Sequence, residues 1–325
     1  MDNLLEVKNL NSGYLFKKKK IKAVRNISFN LKNNEFLGIA GESGCGKSTL
    51  AFSITKLLEK PGMIFSGEAK FDGKDLLKLK DEEIKEMRWK EFSIVFQASM
   101  NVLNPVMKIR NQIYNVIKYH KKVTEEELNK RAVELFNLVN VSEKYLDAYP
   151  HQLSGGMKQR VVIAMAIALN PKLIIMDEPT TALDVVVQRK ILQEIDGIRK
   201  QLGFSIIFIT HDLSLLVEIS DTIMIMYGGE IMEYASSKTL YSNPLHPYSI
   251  GLINSFPPLI GIKEKRNGIA GSPPDLSSEI KGCPFYERCK NSIDGTCDVI
   301  KPKLVLVETN HQVACHLYQA GVLND

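Results

Sequence analysis

Two stretches near the start of the chain alternate apolar and polar residues, Leu4 to Leu10 and Ala23 to Leu31. Successive side chains on a strand point to opposite faces, so the pattern predicts two half-buried strands with Lys17 to Lys20 at the hairpin tip between them. Phe36 to Ala40 is a short apolar run that stops at a glycine-rich turn, and Ser48 to Leu58 then carries apolar residues at helical spacing. From about Val106 to Leu169 the spacing is helical again. There Thr124-Glu125-Glu126-Glu127 resembles a capping box, and Ser154 stands before a helix of small residues. Leu173 to Met176, Ser205 to Thr210 and Thr222 to Tyr227 are apolar runs of the kind buried on both faces of a parallel sheet, with Val187 to Gln201 helical between the first two. The alternation predicts an α/β core with a helical insert.

The 325 residues exceed a typical single domain of ~100 to 200, which allows one large domain with an appendage. A hydrophobic share of 44% and a charged share of 24% are those of an ordinary globular protein and argue against disorder or a small disulfide scaffold. The net charge, 42 − 37 = +5, is too mild to argue for nucleic acid and is compatible with an anionic membrane surface. Four of the 5 cysteines (Cys283, Cys289, Cys297, Cys315) and eight of the 13 prolines follow residue 240, so the appendage is expected there. The longest apolar run, Val161 to Leu169, falls far short of the ~20 residues of a spanning helix. Met1-Asp2-Asn3 does not open a basic-then-apolar signal, and the chain is expected to stay in the cytoplasm.

Gly41-Glu42-Ser43-Gly44-Cys45-Gly46-Lys47-Ser48, followed by Thr49, fits G-x-x-x-x-G-K-[ST] between a strand and a helix, the context a phosphate-binding loop requires. Its glycines let backbone amides turn inward around phosphates, and the helix N-terminus adds positive potential. Lys47 is placed to reach the β- and γ-phosphates of ATP, and the Ser48 hydroxyl to ligate Mg²⁺. Downstream, the strand Leu173 to Met176 ends in Asp177 and Glu178: the first suits Mg²⁺, the second the polarisation of an attacking water. Leu153-Ser154-Gly155-Gly156-Met157-Lys158-Gln159-Arg160 opens another helix whose hydroxyl and amides suit a γ-phosphate.

With Leu153 to Gly156 in place after the phosphate loop and before Asp177-Glu178, the sequence resembles the ATP-binding cassette family, whose signature begins Leu-Ser-Gly-Gly. The resemblance implies a P-loop NTPase fold: a RecA-like core with an N-terminal antiparallel β-subdomain and a helical subdomain at about 98–170, the cassette spanning 1–240 and a Cys/Pro-rich extension 241–325. It implies head-to-tail dimers in which Leu153, Ser154, Gly155, Gly156 and Gln159 close on the partner's nucleotide. Tyr14 corresponds to the aromatic stacked on adenine, with Phe16 a rival. Gln97 corresponds to the residue contacting Mg²⁺ or water and linking to the transport partner, Asp184 in Ala182-Leu183-Asp184 to the dimer interface, and His211 to the switch histidine at the γ-phosphate. Three charge-assisted hydrogen bonds from the opposite signature, at roughly 1.5 to 3 kcal/mol each, would lose about 5 to 9 kcal/mol on hydrolysis. Moving a two-state equilibrium from 1:99 to 99:1 takes ~5.5 kcal/mol, so hydrolysis suffices to open such a dimer.

Phe96-Gln97-Ala98-Ser99-Met100-Asn101-Val102-Leu103-Asn104-Pro105 is similar to a segment of dipeptide and oligopeptide importer ATPases, with Ala98 and Ser99 in place of Asp-Pro. So are Asn243-Pro244-Leu245-His246-Pro247-Tyr248-Ser249, Gly282-Cys283-Pro284-Phe285-Tyr286-Glu287-Arg288-Cys289 and Val313-Ala314-Cys315-His316. This resemblance implies an energy-coupling ATPase, peripheral on the cytoplasmic side of the cell membrane. Its partners would be a second ATPase subunit in a heterodimer, two transmembrane permease subunits and, indirectly, an extracellular substrate-binding protein, with no nucleic acid. Peptide is the expected cargo, with nickel or oligosaccharide as alternatives. A soluble cassette acting on DNA or ribosomes is the alternative of a different class; one cassette per chain and only about a hundred residues between phosphate loop and signature set it apart from those members.

The cysteine spacing C-x5-C-x7-C-x17-C leaves three readings open. A reducing compartment disfavours disulfides. Four-thiolate zinc lacks the close C-x2-C pair of most zinc ribbons, buried thiols would need no metal, and the resemblance implies a 4Fe–4S cluster knitting a tail with little regular secondary structure. Cys45 belongs to the phosphate loop and is set aside as a ligand; His246, His311 and His316 read as turn and surface residues that could substitute.

Overall fold

The computed structural model describes residues 3–17, 19–97, 102–179, 184–255 and 268–319. In chain order its elements begin with β1 (Asn3–Phe16), β2 (Lys19–Lys32), β3 (Phe36–Ala40), α1 (Lys47–Ile54), β4 (Gly62–Phe71), β5 (Lys74–Asp75), α2 (Asp81–Met87) and β6 (Phe92–Val95). Then come α3 (Ile109–His120), α4 (Glu125–Leu138), α5 (Gly155–Ala166), β7 (Leu173–Asp177), α6 (Val185–Leu202), β8 (Ser205–Thr210), α7 (Leu213–Ile219) and β9 (Thr222–Tyr227). The last are β10 (Glu230–Ser236), α8 (Ser237–Ser242), α9 (Pro247–Asn254), β11 (Val305–Glu308) and β12 (His311–Val313). The described residues fall into two compact units, one of 32–36 and 78–209, the other of 3–31, 37–77 and 210 onward.

The first unit contains three parallel strands, β6 beside β7 and β7 beside β8, with Val95 opposite Met176 and Met176 opposite Phe208. Every residue of β7 and β8 is buried, which is why these runs are apolar throughout instead of alternating. The helical insert follows its local signals. Thr124 caps α4 by accepting the Glu127 amide at 3.2 Å, and the Glu127 carboxylate takes the Thr124 amide at 2.7 Å, so the capping box is real. Beyond α5, Arg131 donates to the carbonyls of Ala168 at 3.0 Å and Ile167 at 3.1 Å, satisfying acceptors that a helix end leaves open.

In the second unit β2, β1, β4 and β5 form an antiparallel sheet in that order. The first hairpin runs longer than the alternation predicts. Its strands reach Phe16 and start at Lys19, so Lys17 alone of the four lysines is described in the turn; Lys18 lies outside the described residues. The tip is exposed on both faces, and no apolar alternation marks it. Helix α1 is shorter than Ser48 to Leu58. The Thr55 hydroxyl and amide both donate to the Ala51 carbonyl, at 2.8 and 3.2 Å, and Lys56 turns left-handed at φ 51°, which ends the helix.

β3 lies parallel to β9, and β10, β12 and β11 continue outward from β9 by antiparallel pairing. The tail is therefore less irregular than the sequence reading expects, since β12 pairs with β10 at Glu233 and Val313. Glu233 explains why this junction is ordered. Its carboxylate is wholly buried and accepts from the amides of Leu245 at 2.8 Å and His246 at 2.9 Å and meets His311 Nε2 at 2.7 Å. One carboxylate thus ties β10, the entry to α9 and β12 together.

Glu233→Ala would leave two buried amides and a buried imidazole without their acceptor. Breaking a buried pair of this kind costs on the order of 3 to 5 kcal/mol. The expected outcome is a lower urea midpoint for the full chain, with Glu233→Gln intermediate because it keeps one accepting oxygen.

Candidate active site

The phosphate loop leaves β3, whose five residues are all buried, and runs into α1. Gly46, at φ 103° and ψ 3°, stands at the N-cap and gives α1 no side-chain cap. The first amides of the helix, at Lys47, Ser48 and Thr49, thus meet no capping side chain, the arrangement an anion exploits. A Cβ on Gly46 would sit 2.1 Å from the Ala23 carbonyl oxygen, so backbone packs directly on backbone here. The Gly229 amide braces the loop from the β9–β10 turn, donating to the Cys45 carbonyl at 3.1 Å.

Lys47 is 6% exposed, and its ammonium donates to the carbonyls of Gly41 at 2.7 Å and Glu42 at 3.0 Å. The charge is held inside the curve of the loop. Cys45 is buried beside it, and burial pushes its thiol up, with the lysine pulling the other way. Ser43 and Gly44 form the open part of the loop, and Ser48 is half-buried at the first turn of α1. Tyr14 leaves β1 with its ring partly exposed and its hydroxyl 3.1 Å from Thr49 Oγ1, which fixes the ring near the start of α1. Phe16 is more exposed, at 60%, and has the Lys17 ammonium over its ring. Tyr14, not Phe16, is thus the aromatic tied to the helix of the phosphate loop. His211 is exposed after β8, and Asp212 behind it accepts from the amides of Ser214 and Leu215 to start α7.

The other unit carries the acidic strand end. Asp177 closes β7 at 2% exposure. Glu178 follows at φ 43°, a left-handed backbone that costs a non-glycine residue roughly 1 to 2 kcal/mol. Its amide donates to the Ile209 carbonyl at 2.9 Å, and its carboxylate accepts from Gln97 Nε2 at 3.2 Å. Two predicted site residues 81 positions apart are thus in direct contact. Gln112, which the sequence reading passes over, braces the segment after Gln97: it accepts the Asn104 amide at 2.9 Å and donates to the Asn104 and Met107 carbonyls. Ala98 to Asn101 lie outside the described residues.

Ser154 caps α5 by accepting the Met157 amide at 3.3 Å, and with Gly155 it faces solvent while Leu153 is buried. Gln159 differs from its neighbours in the signature. It is fully buried one turn into the helix, because position 159 falls on the core face, and it does not share the exposed end that a partner's nucleotide would meet. Asp184 is exposed and caps α6 through the Val187 amide at 3.0 Å, beside the exposed Val185 and Val186. Ala182 and Leu183 lie outside the described residues.

In the tail, Cys283, Cys289, Cys297 and Cys315 are free thiols that act on one another. Burial pushes Cys283 up to about 12 and Cys315 to about 11, with the neighbouring cysteines adding to both. Burial also raises Cys289, with Cys297 contributing. The Cys283 amide donates to the Cys297 carbonyl at 2.7 Å, and the Ile293 amide to Cys297 Sγ at 3.4 Å. Among the described residues, no group of three or more His, Cys, Asp or Glu is gathered tightly enough to hold one metal ion. The three histidines are not surface residues: His246, His311 and His316 are 1%, 0% and 2% exposed. His246 Nδ1 accepts the Tyr248 amide at 3.0 Å, His311 meets Glu233, and His316 Nε2 meets the Ile300 carbonyl at 2.8 Å. Each has a structural partner at one ring nitrogen.

The sequence reading also missed a contact between tail and phosphate loop. Arg288, two residues past Tyr286 and beside Cys289, forms a two-pronged ion pair with Glu42, at 2.7 and 3.0 Å. The available signal was an arginine between two cysteines in a motif read only for its sulfurs.

Residues 24–181 match the ABC transporter family, and residues 232–297 match the C-terminal region of oligopeptide/dipeptide transporters. A dipeptide transport ATP-binding protein, DppD of Caldanaerobacter subterraneus subsp. tengcongensis, is 40% identical over 323 residues, 99% of both chains. The oligopeptide transport ATP-binding protein OppD of Escherichia coli is 41% identical over 295 residues, 90% of this chain and 87% of its own. Among solved structures, the dimeric bacterial ABC transporter cassette MJ0796 superposes with a TM-score of 0.64 at 32% identity, covering 72% of this chain and 98% of that one. The same cassette has been seen in a post-hydrolysis state bound to ADP and Pi, with a TM-score of 0.63.

Gly46→Ala is expected to abolish MgATP binding and lower the melting temperature, because its methyl meets the Ala23 carbonyl at 2.1 Å. Gly44→Ala, with nothing within 4 Å of the added carbon, should pay only the roughly 1 to 2 kcal/mol of a left-handed alanine. Isothermal titration and thermal melts of the two variants check this.

Proposed function

The chain belongs to the ABC transporter family, in its dipeptide and oligopeptide ATP-binding branch, and works as an ATPase; on that premise we propose that it drives import of di- or oligopeptides from the cytoplasmic face of a membrane permease. No described helix is long and apolar enough to cross a membrane, so the path for cargo is assigned to permease subunits. The observation that carries the reading is the exposed, Ser154-capped N-terminus of α5 in a chain that has its own phosphate loop. Two anion-binding helix ends in one chain suit a head-to-tail pair, here a heterodimer with a second ATPase subunit. The relatives' names point to peptides; none of those cited names nickel or oligosaccharide. An extracellular binding protein would select the peptide.

In the mechanism we infer, the amides at the start of α1 and the Lys47 ammonium take the β- and γ-phosphates, and Tyr14 offers its ring to adenine. The Ser48 hydroxyl, the Gln97 amide oxygen and the Asp177 carboxylate would be the residues to hold Mg²⁺, each being an oxygen donor of the kind that ion takes. Bound there, Mg²⁺ would neutralise phosphate charge. Glu178 polarises the attacking water, and the Gln97 amide, 3.2 Å away, orients that carboxylate. His211 contributes to the γ-phosphate. Ser154, Gly155 and Gly156 close on the partner's nucleotide, with Asp184 at the same interface. Gln159 we assign to the interior of α5.

For the tail we propose that Cys283, Cys289, Cys297 and Cys315 hold a 4Fe–4S cluster in preference to a single zinc. Support comes from four mutually interacting thiols and from the Ile293 amide on Cys297 Sγ. Such a cluster would cross-link the segment 283–297 to Cys315.

Glu178→Gln is expected to bind MgATP normally and to hydrolyse it ~10²- to 10⁴-fold more slowly. Near-normal phosphate release would remove Glu178 from the base's role. Anaerobically purified protein should contain about four irons per chain, lost in Cys289→Ser together with tail stability. One zinc per chain, or no metal at all, would overturn the cluster.

A further inference from the structure

Glu42 is an acid inside a loop that gathers phosphates, and every polar part of it is held by a different partner. Its carbonyl accepts from Lys47 at 3.0 Å, its amide donates to the Tyr248 hydroxyl at 2.9 Å, and its carboxylate accepts from Arg288. Lys47 belongs to the loop, whereas Tyr248 and Arg288 both come from the tail. Arg288 has no spare donor. Nε donates to the Ala270 carbonyl at 2.8 Å, Nη1 to Glu42 and the Tyr227 hydroxyl, and Nη2 to Glu42 and the Ile269 carbonyl at 3.2 Å. Five N–H groups thus meet five acceptors.

The guanidinium also packs over the rings of Tyr227 and Phe285, 5.6 and 5.8 Å from their centres, with its side chain 5% exposed. Tyr227, Tyr248 and Phe285 form one aromatic cluster, their centroids 4.6 to 5.3 Å apart. Tyr248 is fully buried, and His246 fixes its backbone as the cap of α9. A planar, saturated, buried arginine of this kind is a rigid fixture. It is built to take one carboxylate in one orientation.

We propose that Arg288 is a positioning residue of the nucleotide site: it draws the Glu42 carboxylate to the outside of the phosphate loop, so that the inner amides and Lys47 meet the phosphates without a competing anion. The proposal rests on reading residues 41–48 as the phosphate loop, and it makes the cysteine-bearing tail part of the nucleotide site. Without the arginine, the carboxylate becomes an alternative partner for the Lys47 ammonium and a repulsive neighbour for the γ-phosphate. Nucleotide affinity, more than turnover at saturation, should carry the effect.

The test is titration of the full-length chain with a non-hydrolysable MgATP analogue. Arg288→Gln should weaken binding by roughly tenfold or more, the scale of one charge-assisted pair. Arg288→Lys, which keeps the charge but not the fork, should fall between, and it serves if the glutamine variant folds poorly. The decisive variant is Glu42→Gln combined with Arg288→Gln. Removing the stray anion should restore affinity to near that of the unmodified chain even though the tail contacts remain broken, an outcome that a merely structural arginine would not produce. Unchanged affinity in both Arg288 variants, or a double variant as weak as Arg288→Gln, would overturn the proposal. Lys47→Ala separates the two readings: if that variant binds the analogue normally, the assignment of the phosphate loop fails, whatever Arg288 does.

Discussion

A loop that turns its amides inward to receive phosphates leaves its remaining polar groups and its own charges to be satisfied from outside, and much of the second unit can be read as the answer to that requirement. The Gly41 and Glu42 carbonyls hold the Lys47 ammonium. The β9–β10 turn supplies the Gly229 amide to Cys45, and the Ala23 carbonyl lies so close to Gly46 that no side chain fits between them. Tyr248 and Arg288 complete the set at Glu42. Strand pairing brings these groups within reach: β3 and β9 run in parallel, and β12 joins β10 with Glu233 sealing the join. The sheet is thus a frame for a short loop whose geometry cannot relax.

The unit with the acidic strand end is organised differently. Glu178 sits in a left-handed conformation directly after a wholly buried strand, and its amide is pinned to Ile209 on β8. Strain of this sort persists only where the surroundings determine it fully. Here the neighbouring strand fixes the backbone and Gln97 fixes the carboxylate. Gln112 in turn ties Asn104 and Met107 to α3.

What the sequence made legible was whatever is encoded locally. The phosphate loop, the capping box at Thr124, the N-cap at Ser154 and the buried runs of β7, β8 and β9 depend on residues within one or two turns of each other, and they stand where the periodicity puts them. Composition hid what depends on burial and long-range pairing. Gln159 belongs to a recognisable signature yet faces the core, and three histidines in a Pro-rich tail look like turn residues but are buried caps and pair partners. β4 was missed because its apolar residues do not alternate cleanly, its order coming from the register with β1. Glu42 and Arg288 were unreadable as a pair because 246 positions separate them and each sits inside a motif recognised for other residues.

That separation has a consequence for how the molecule comes into being. At ribosomal speeds of about 5 to 20 residues per second, the phosphate loop emerges roughly 12 to 50 seconds before the arginine that takes its glutamate. β3 likewise waits for β9, since Leu37 pairs with Thr222. A nascent chain that already displays the whole loop therefore lacks the counter-charge and the strand that give the loop its shape. Competence to grip nucleotide arrives late in synthesis, and truncated products carry the motif without the chemistry.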